Sequence, residues 1–278
     1  MARTPHRTAL AALVLVPALL LVGCGSDDKT DTSSGDTTTT TAADSGALAA
    51  PSGLVSDGTL TVCSDTPYEP FEFKDDSQKD TGYDMDLLRA IGDKAGLKLS
   101  VKDLPFEGIL GSLAAGDCDV VGSALTITDE RKGQIDFSAP YFDADQSLLV
   151  KSDKAAELKD LASLKGKTIG VQSSTTGETY AKEHATGATI KSFEDSDGLF
   201  TAIEAGQIDA ILQDLPVNAY RATKDDSVKV VETYKTGEQY GFAVEKGDAG
   251  MLKFVNDGLT ALKDDGTFDT IYKKYFSV

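Results

Sequence analysis

The six residues Ala-Gly-Asp-Cys-Asp-Val at 115–120 return further along the chain as Ala-Gly-Gln-Ile-Asp-Ala at 205–210. In both copies a helix-like pattern ends at the glycine, which adopts the positive φ that commonly terminates a helix. A short apolar run of the kind found in buried strands follows each glycine. The repeat therefore predicts two similar lobes in which helices and strands alternate.

The pattern on either side of the two copies supports this layout. Around the first copy it predicts strands at 59–64, 97–101 and 119–125, separated by helices at 83–95 and 106–116. Around the second copy it predicts strands at 168–172, 188–192 and 208–213, separated by helices at 178–184 and 199–205. Short apolar runs follow at 228–231 and 240–244, and two helices, 251–262 and 267–276, close the chain. Such alternation is typical of α/β folds with mainly parallel sheets flanked by helices.

The N-terminus has the pattern of an exported lipoprotein. Positive residues at 3–7 precede an apolar run at 9–22, which is the length of a secretory signal core and short for a membrane span. The run ends at Gly23-Cys24 and a polar stretch begins at once, so residues 1–23 are predicted to be a lipoprotein signal peptide and Cys24 the lipidated residue. An ordinary signal peptide with an incidental cysteine is the alternative.

The residues after Cys24 are predicted to form a tether. Residues 25–53 are almost exclusively Ser, Thr, Asp, Gly and Ala, and such a segment cannot bury enough apolar area to offset its ordering entropy. We therefore expect residues 24–57 to be a flexible connection between the lipid anchor and the folded part.

Charge and cysteine content limit the function classes. A net charge of -18 disfavours nucleic-acid binding, because phosphates would be repelled. Cys63 and Cys118 form an even pair in an exported chain, which leaves a disulfide and two free buried thiols equally open. The chain has only two histidines and no Cys/His cluster with ligand spacing, so neither a metal nor a cofactor is expected.

Polar residues follow the predicted strands where an open α/β sheet binds ligands. Arg131 follows a hydroxyl-rich loop after the strand at 119–125, and its planar guanidinium matches a carboxylate. A surface salt bridge is the alternative for Arg131. Thr175 and Glu178 fit a capping box at a helix start that also favours an anion, whereas Asp214 suits either an ammonium group or a helix cap.

The end of the first strand offers groups for the rest of a ligand. Asp65 follows that strand and can face a distal polar group. Tyr68 and Phe106 can enclose an aliphatic portion, although core packing is the default for aromatic side chains.

Several motifs along the chain resemble those of one family. It is the family 3 extracellular solute-binding proteins, the polar amino-acid-binding lipoproteins of ATP-driven importers. The resemblance extends from about Thr59 to Phe276, and the stretches that carry it lie at 68–73, 82–87, 125–131, 136–138, 164–172 and 265–276. No single stretch identifies the family, but the number of these stretches and their order along the chain do.

The resemblance implies a two-lobed periplasmic-binding-protein-like fold of type II, with each lobe a mainly parallel sheet flanked by helices. It implies that lobe 1 comprises 58–142 plus 243–278 and lobe 2 comprises 146–239. Two hinge strands, near 143–145 and 240–242, would join them. The expected protein is a monomer on the extracellular face of the cell membrane, lipid-anchored, and it would dock on a membrane permease.

The resemblance also implies a ligand site between the lobes. The ligand carboxylate would be held by Arg131, Ser123 and Thr126, with help from Thr175 and Thr176. Asp214 would bind the ammonium group. The side chain of a free L-amino acid, basic or glutamine, would be surrounded by Asp65, Tyr68, Phe106, Gln172 and Gln213.

Two other functions fit the same fold. Some dehydratases that act on arogenate or prephenate resemble this family and need a catalytic acid or base in the cleft, for which Glu107 is the candidate. A binding protein without enzymatic activity is nevertheless expected. A ligand-presenting sensor component is the second alternative. Deletion of the permease would separate it from transport, because a sensor would keep its response.

Overall fold

The structure, a computed structural model, describes residues 47–276. The predicted signal peptide, Cys24 and most of the predicted tether lie outside these residues. Within 47–276 every helix is too short or too polar to cross a bilayer.

Strands and helices alternate along the described chain. The first series is β1 (Thr59–Ser64), β2 (Phe73–Lys74), β3 (Asp80–Thr81), α1 (Tyr83–Lys94), β4 (Lys98–Asp103), α2 (Ile109–Ala114), β5 (Val120–Val121), α3 (Asp129–Lys132) and β6 (Ile135–Phe137). The second is β7 (Phe142–Lys151), β8 (Thr168–Gln172), α4 (Thr176–His184), β9 (Thr189–Phe193), α5 (Ser196–Glu204), β10 (Ala210–Asp214), α6 (Leu215–Lys224) and β11 (Val228–Tyr240). The chain then forms β12 (Ala243–Glu245), α7 (Ala249–Asp264) and α8 (Thr267–Phe276).

Two five-stranded sheets form the frame of the two lobes. The order is β4-β1-β5-β12-β6 in the first sheet and β11-β7-β10-β8-β9 in the second. In each sheet four strands run in one direction and one, β12 or β7, runs against its neighbours. The sheets are therefore mixed but mainly parallel, and the predicted two-lobed α/β fold is confirmed.

Helices cover both sheets. In lobe 1, α1 packs against α7, α8 and β4, and α2 packs against β1 and β5. In lobe 2, α4 and α5 pack against β8 and β10, whereas α6 packs against β7 and β11. The residue limits predicted for the two lobes stay a prediction.

Two long strands differ from the sequence-based expectation. The ten residues of β7 were expected only as a short hinge, because polar residues at 143 and 145–147 interrupt the apolar pattern. In the sequence, only short apolar runs at 228–231 and 240–244 were identified, with a hinge strand near 240–242. The first of these runs is the start of β11, which continues for 13 residues to Tyr240 in the second sheet, and Ala243 then begins β12 in the first sheet.

Aromatic side chains pack where the two long strands leave lobe 1. The ring of Phe71 lies 5.0 Å from that of Phe142 and 5.1 Å from that of Tyr240, at near-perpendicular angles. Phe276 at the end of α8 lies 4.8 Å from Phe142. Edge-to-face aromatic pairs add to the burial of apolar area, so the ends of β7 and β11 are anchored in the lobe 1 core.

A disulfide joins Cys63 to Cys118. Cys63 lies in β1, and Cys118 lies just before β5, which pairs with β1. The pairing of these two strands brings the Cα atoms to 5.7 Å, which resolves the question that the sequence left open.

Candidate functional site

The predicted ligand-contacting residues converge on one cavity between the lobes. Ten of the eleven line it: Asp65, Tyr68, Phe106, Ser123, Thr126, Arg131, Gln172, Thr175, Thr176 and Asp214. Lobe 1 contributes those from Asp65 to Arg131, and lobe 2 contributes the rest. The cavity is about 20 Å³, which is room for about one water molecule, so the lobes are closed over the site.

Arg131 points into this cavity rather than to the surface. Its guanidinium donates hydrogen bonds to the Thr126 carbonyl at 2.8 Å and, across the cleft, to the Ser174 carbonyl at 3.2 Å. The Phe106 ring lies 5.4 Å from the guanidinium carbon, within the range of a cation–π contact. Burial lowers the pKa of Arg131, and the nearby Asp214 and Glu238 carboxylates oppose this shift. None of the ion pairs within 47–276 includes Arg131, which argues against the surface salt bridge.

Asp214 immediately precedes α6, but its side chain makes no capping hydrogen bond and instead accepts hydrogen bonds from three other side chains. Its carboxylate accepts from the Tyr68 hydroxyl at 3.0 Å, from the Tyr240 hydroxyl, and from the Gln146 amide at 2.5 Å. Burial is the main cause that raises the pKa of Asp214 to about 6, and the negative charge of Glu238 adds to it. The capping alternative is therefore wrong, and a buried carboxylate faces the cavity.

Asp65 lies directly beyond the end of β1. Gln172, at the end of β8 in the other lobe, donates to its carboxylate at 2.6 Å. Burial raises the pKa of Asp65 to about 6, and the hydrogen bond from Gln172 partly offsets this shift. Asp65 and Gln172 thus form a polar contact across the cleft, distinct from the one that Tyr68 makes with Asp214.

The loop after β5 carries Ser123 and Thr126. The Ser123 hydroxyl accepts from the Asp65 N–H at 3.0 Å and donates to a carboxylate oxygen of Glu72 at 3.1 Å. Thr126 lies 3.5 Å from the Thr176 hydroxyl of the opposite lobe. Both hydroxyls are therefore at the closed interface, although the Ser123 proton already has an acceptor.

Thr175 and Thr176 begin α4. The Thr175 hydroxyl accepts from the Glu178 N–H at 3.1 Å and donates to the Gln172 carbonyl at 2.8 Å. The Glu178 carboxylate accepts from the Ser174 N–H rather than from that of Thr175, so only half of the predicted capping box forms. Thr175 serves mainly as the helix cap, and Thr176 presents its hydroxyl to the cleft.

Gln213 is the predicted site residue that does not line the cavity. Successive side chains of a strand point to opposite faces, so Gln213 cannot share the orientation of Asp214. Its amide nitrogen donates to Asn218 at 3.0 Å, and its backbone carbonyl accepts from Ser147. Gln213 is therefore a buried structural residue behind the site.

Three polar residues that the sequence analysis missed lie at the site. Glu72 lines the cavity. The Glu238 carboxylate accepts hydrogen bonds from Thr176 at 2.7 Å and from Gln146 at 3.1 Å. Gln146 and Glu238 lie next to the predicted hinges, and their polar side chains beside a hinge could have indicated that they reach the ligand site. Glu72 lies between two phenylalanines, which suggested packing.

An open groove of about 850 Å³ leads away from the cavity between the lobes. It shares several lining residues with the cavity, including Arg131 and Thr176, and adds Glu107, Glu130, Glu183 and Glu238. Glu107 is exposed and lines this groove rather than the cavity, so the residue singled out for the dehydratase alternative lies outside the enclosed site.

Negative groups outnumber positive ones around the cavity. Its lining includes the carboxyl groups of Asp65, Glu72 and Asp214 and, within the described chain, a single cation, Arg131. Residues 47–276 contain no cluster of His, Cys, Asp or Glu suited to a metal ion. The arrangement can bind one anionic group at Arg131 and cationic groups at the carboxylates.

Known proteins have a similar sequence and a similar fold. A profile of the bacterial extracellular solute-binding proteins, family 3, matches residues 60–278. The L-cystine-binding protein TcyJ of Escherichia coli (strain K12) is 33% identical over 221 residues, covering 79% of this chain and 83% of that protein. The ABC transporter glutamine-binding protein GlnH of Bacillus subtilis (strain 168) is 33% identical over 275 residues, covering 96% of each. A solved ancestral arginine-binding protein bound to arginine has a TM-score of 0.75 at 40% identity, covering 79% of this chain and 99% of that one.

Proposed function

The chain belongs to the bacterial extracellular solute-binding proteins of family 3, and we propose that it binds a cationic L-amino acid, such as arginine or lysine, for an ATP-driven importer. The relatives described above bind cystine, glutamine and arginine, so the family alone leaves the ligand open. The choice of a cationic ligand depends on the charges of this site.

The observation that carries the proposal is that two carboxylates with different hydrogen-bond partners line the same cavity as one guanidinium. Arg131 and Asp214 suit the α-carboxylate and the α-ammonium that every free amino acid has. Asp65 makes a separate contact, with Gln172, and is left to meet the ligand side chain. A cationic side chain would neutralise Asp65, whereas glutamate would place a second negative charge against it.

The groove outside the cavity, like the cavity itself, is lined by more negative than positive side chains. Four glutamates line it, and Arg131 lies at its inner end. A cleft lined by one sign of charge attracts ligands of the opposite sign and raises their local concentration. The groove thus favours the approach of a cation before binding.

Binding requires the lobes to separate. The cavity is too small for an amino acid, and hydrogen bonds from Arg131 and Gln172 cross it. We propose that β7 and β11 act as hinges, since they are the two long strands whose ends are anchored in lobe 1. Closure over a ligand would exclude water and strengthen its ion pairs.

Attachment and delivery complete the proposal. The signal pattern that ends at Cys24 supports lipid anchoring at the extracellular face of the membrane, with the described residues joined to the lipid by a flexible tether. The glutamine-binding relative is a component of an ABC transporter, which supports a membrane permease as the partner of the closed form.

Substitution Asp65→Asn tests the choice of ligand. We expect the affinity for arginine to fall by at least about tenfold, because the variant loses a buried charge opposite the ligand cation. The affinity for glutamine, which needs no charge at this point, should change by less than about threefold. Calorimetric titration of both ligands into wild type and variant measures the two changes.

Asp103→Asn is the matched control. Asp103 is exposed and its charge also raises the pKa of Asp65, but it does not line the cavity. It should leave both affinities nearly unchanged. An equal loss for arginine and glutamine in Asp65→Asn, or no loss for either, would show that Asp65 does not select a cation.

A further inference from the structure

Two acidic side chains, Glu72 and Asp84, are fully buried beneath the cavity. Both residues are 0% exposed. The start of α1 packs on the segment at 70–72, where the Asp84 N–H donates to the Phe71 carbonyl at 3.0 Å. Gly82 permits this approach, since a Cβ there would lie 2.1 Å from the Phe71 oxygen. The backbone of Asp84 is therefore held beside the residue that precedes Glu72, and the electrostatic effect of Asp84 on Glu72 indicates that their side chains are close.

Each carboxyl group has one oxygen with hydrogen bonds and one without. Glu72 Oε1 accepts from the Ser123 hydroxyl, and Asp84 Oδ2 accepts from the Tyr141 hydroxyl at 2.6 Å and the Ala124 N–H at 2.9 Å. Glu72 Oε2 and Asp84 Oδ1 have no partner among the described residues. A buried carboxylate oxygen without a donor is costly, and one proton between these two oxygens would satisfy both.

The surroundings of Glu72 favour its neutral form. Besides Asp84, the charges of Asp65 and Asp214 act on Glu72, and so do the hydroxyl groups of Tyr68 and Tyr141. Burial and the charge of Asp84 raise the pKa of Glu72 far above its usual value. Asp84, which accepts two hydrogen bonds, is better stabilised as the anion than Glu72, which accepts one.

We propose that Glu72 and Asp84 share one proton, held on Glu72, and that this pair positions the loop of residues 122–126 in the ligand site. The inference rests on the proposed function, because Ser123 and Thr126 lie on this loop and Arg131 follows it. In this arrangement neutral Glu72 accepts a hydrogen bond from Ser123 and donates its own proton in a hydrogen bond to Asp84. Ionised Asp84 accepts the N–H of Ala124, the residue after Ser123.

The backbone conformation of Ala124 explains why the loop of residues 122–126 needs a stabilising contact. Its φ is 43°, in the left-handed region that residues with a side chain seldom adopt. The Asp84 carboxylate accepts the Ala124 N–H and so fixes the loop in this conformation. Asp84 is thus a positioning residue, which acts on the ligand through the loop.

The shared proton has a direct spectroscopic test. The infrared spectrum of the wild-type full chain at pH 7.5 should contain the carbonyl stretch of a protonated carboxylic acid, separate from carboxylate bands. Glu72→Gln should lose this band. Asp86→Asn, on the same helix but ion-paired with Arg89 and Lys274, should keep it. Absence of the band in the wild type, or its survival in Glu72→Gln, would overturn the shared proton.

The positioning role is tested by loss and rescue. We expect Asp84→Ala to weaken arginine binding by at least about tenfold. Adding Ala124→Gly should restore at least about threefold, because glycine adopts the positive φ without the Asp84 acceptor. If Asp84→Ala weakened binding only by destabilising the whole fold, Ala124→Gly would not restore the affinity. Wild-type affinity in Asp84→Ala, or no rescue by Ala124→Gly, would overturn this role.

The two experiments separate this inference from the proposed function. If the wild type binds an amino acid but the rescue fails, only the inference is wrong. If the wild type binds none, the proposed function fails and the positioning role with it. The infrared band still decides where the proton is, including in the case that Asp84→Ala does not fold.

Discussion

Arg131→Ala is expected to weaken the binding of every amino acid by at least about 100-fold, because it removes the only cation that lines the described cavity. The α-carboxylate of the ligand would then be buried without a countercharge. The two carbonyls of Thr126 and Ser174 would also lose their donor, so closure itself would be weaker. Titration calorimetry measures the loss, and thermal unfolding checks that the variant is folded.

Two further variants sharpen this test. Arg131→Lys keeps the charge but not the planar fork that bonds a carboxylate through two N–H groups, so we expect an intermediate loss of about tenfold. Lys132→Ala removes a neighbouring cation on α3 whose exposed partner is Asp129, and it should bind as the wild type does. Binding by Arg131→Ala within a few-fold of the wild type would contradict the assigned role.

Asp214→Asn is expected to have opposite effects on binding and on stability. The ligand ammonium would lose its buried countercharge, which we expect to cost at least about 100-fold in affinity. The ligand-free protein should instead become more stable at pH 7.5, since the variant no longer buries an ionised carboxylate. Because the asparagine amide would face the Gln146 amide donor, we expect a gain of only about 1 to 2 kcal/mol in the free energy of unfolding.

The pH dependence of this gain follows from the direction of the pKa shift. The pKa of Asp214 is about 6 in the folded protein against 3.8 as its ordinary value, so the folded state binds the proton more tightly. Protonation therefore stabilises the fold below about pH 4, and this stabilisation is lost as the pH rises through 6. The advantage of Asp214→Asn should be largest at pH 7.5 and small at pH 5.

Thermal unfolding of the ligand-free proteins at both pH values measures this difference. Asp143→Asn, an exposed carboxylate on β7 that accepts from Gln239, is the control and should show little change at either pH. If Asp214→Asn is no more stable than the wild type at pH 7.5, burial of the charge is not the cost that we infer. Retained affinity would exclude Asp214 as the ammonium partner.

Local patterns predicted most of the fold. The strands β1 and β8 begin and end where the apolar runs do, and the polar residues that follow them, Asp65 and Thr175, line the cavity. The strand limits are confirmed, and the residues that follow the strands lie close together because the carboxyl ends of parallel strands meet at one edge of a sheet. Strand alternation was the neglected signal at Gln213, which is adjacent to Asp214 and must face away from it.

Other features depend on contacts that distant residues make only in the folded chain. Glu238 meets Gln146 across 92 positions of sequence, and Glu72 meets Ser123 across 51. A glutamate between apolar neighbours does not reveal whether it faces a cleft, a core or water. The sequence could not decide whether Cys63 and Cys118 form a disulfide, because only the pairing of β1 with β5 brings them close together.

The most direct test of the central claim is titration of the purified protein, unfolded and refolded to remove carried-over ligand, with arginine, lysine, histidine, glutamine, cystine and glutamate. We predict one-to-one binding of arginine or lysine in the micromolar range or tighter, about -8 kcal/mol or more favourable, weaker binding of glutamine and none of glutamate. Preferred binding of glutamate or of an uncharged amino acid would contradict a site selective for cations. Absence of binding by all six would contradict the amino-acid site itself.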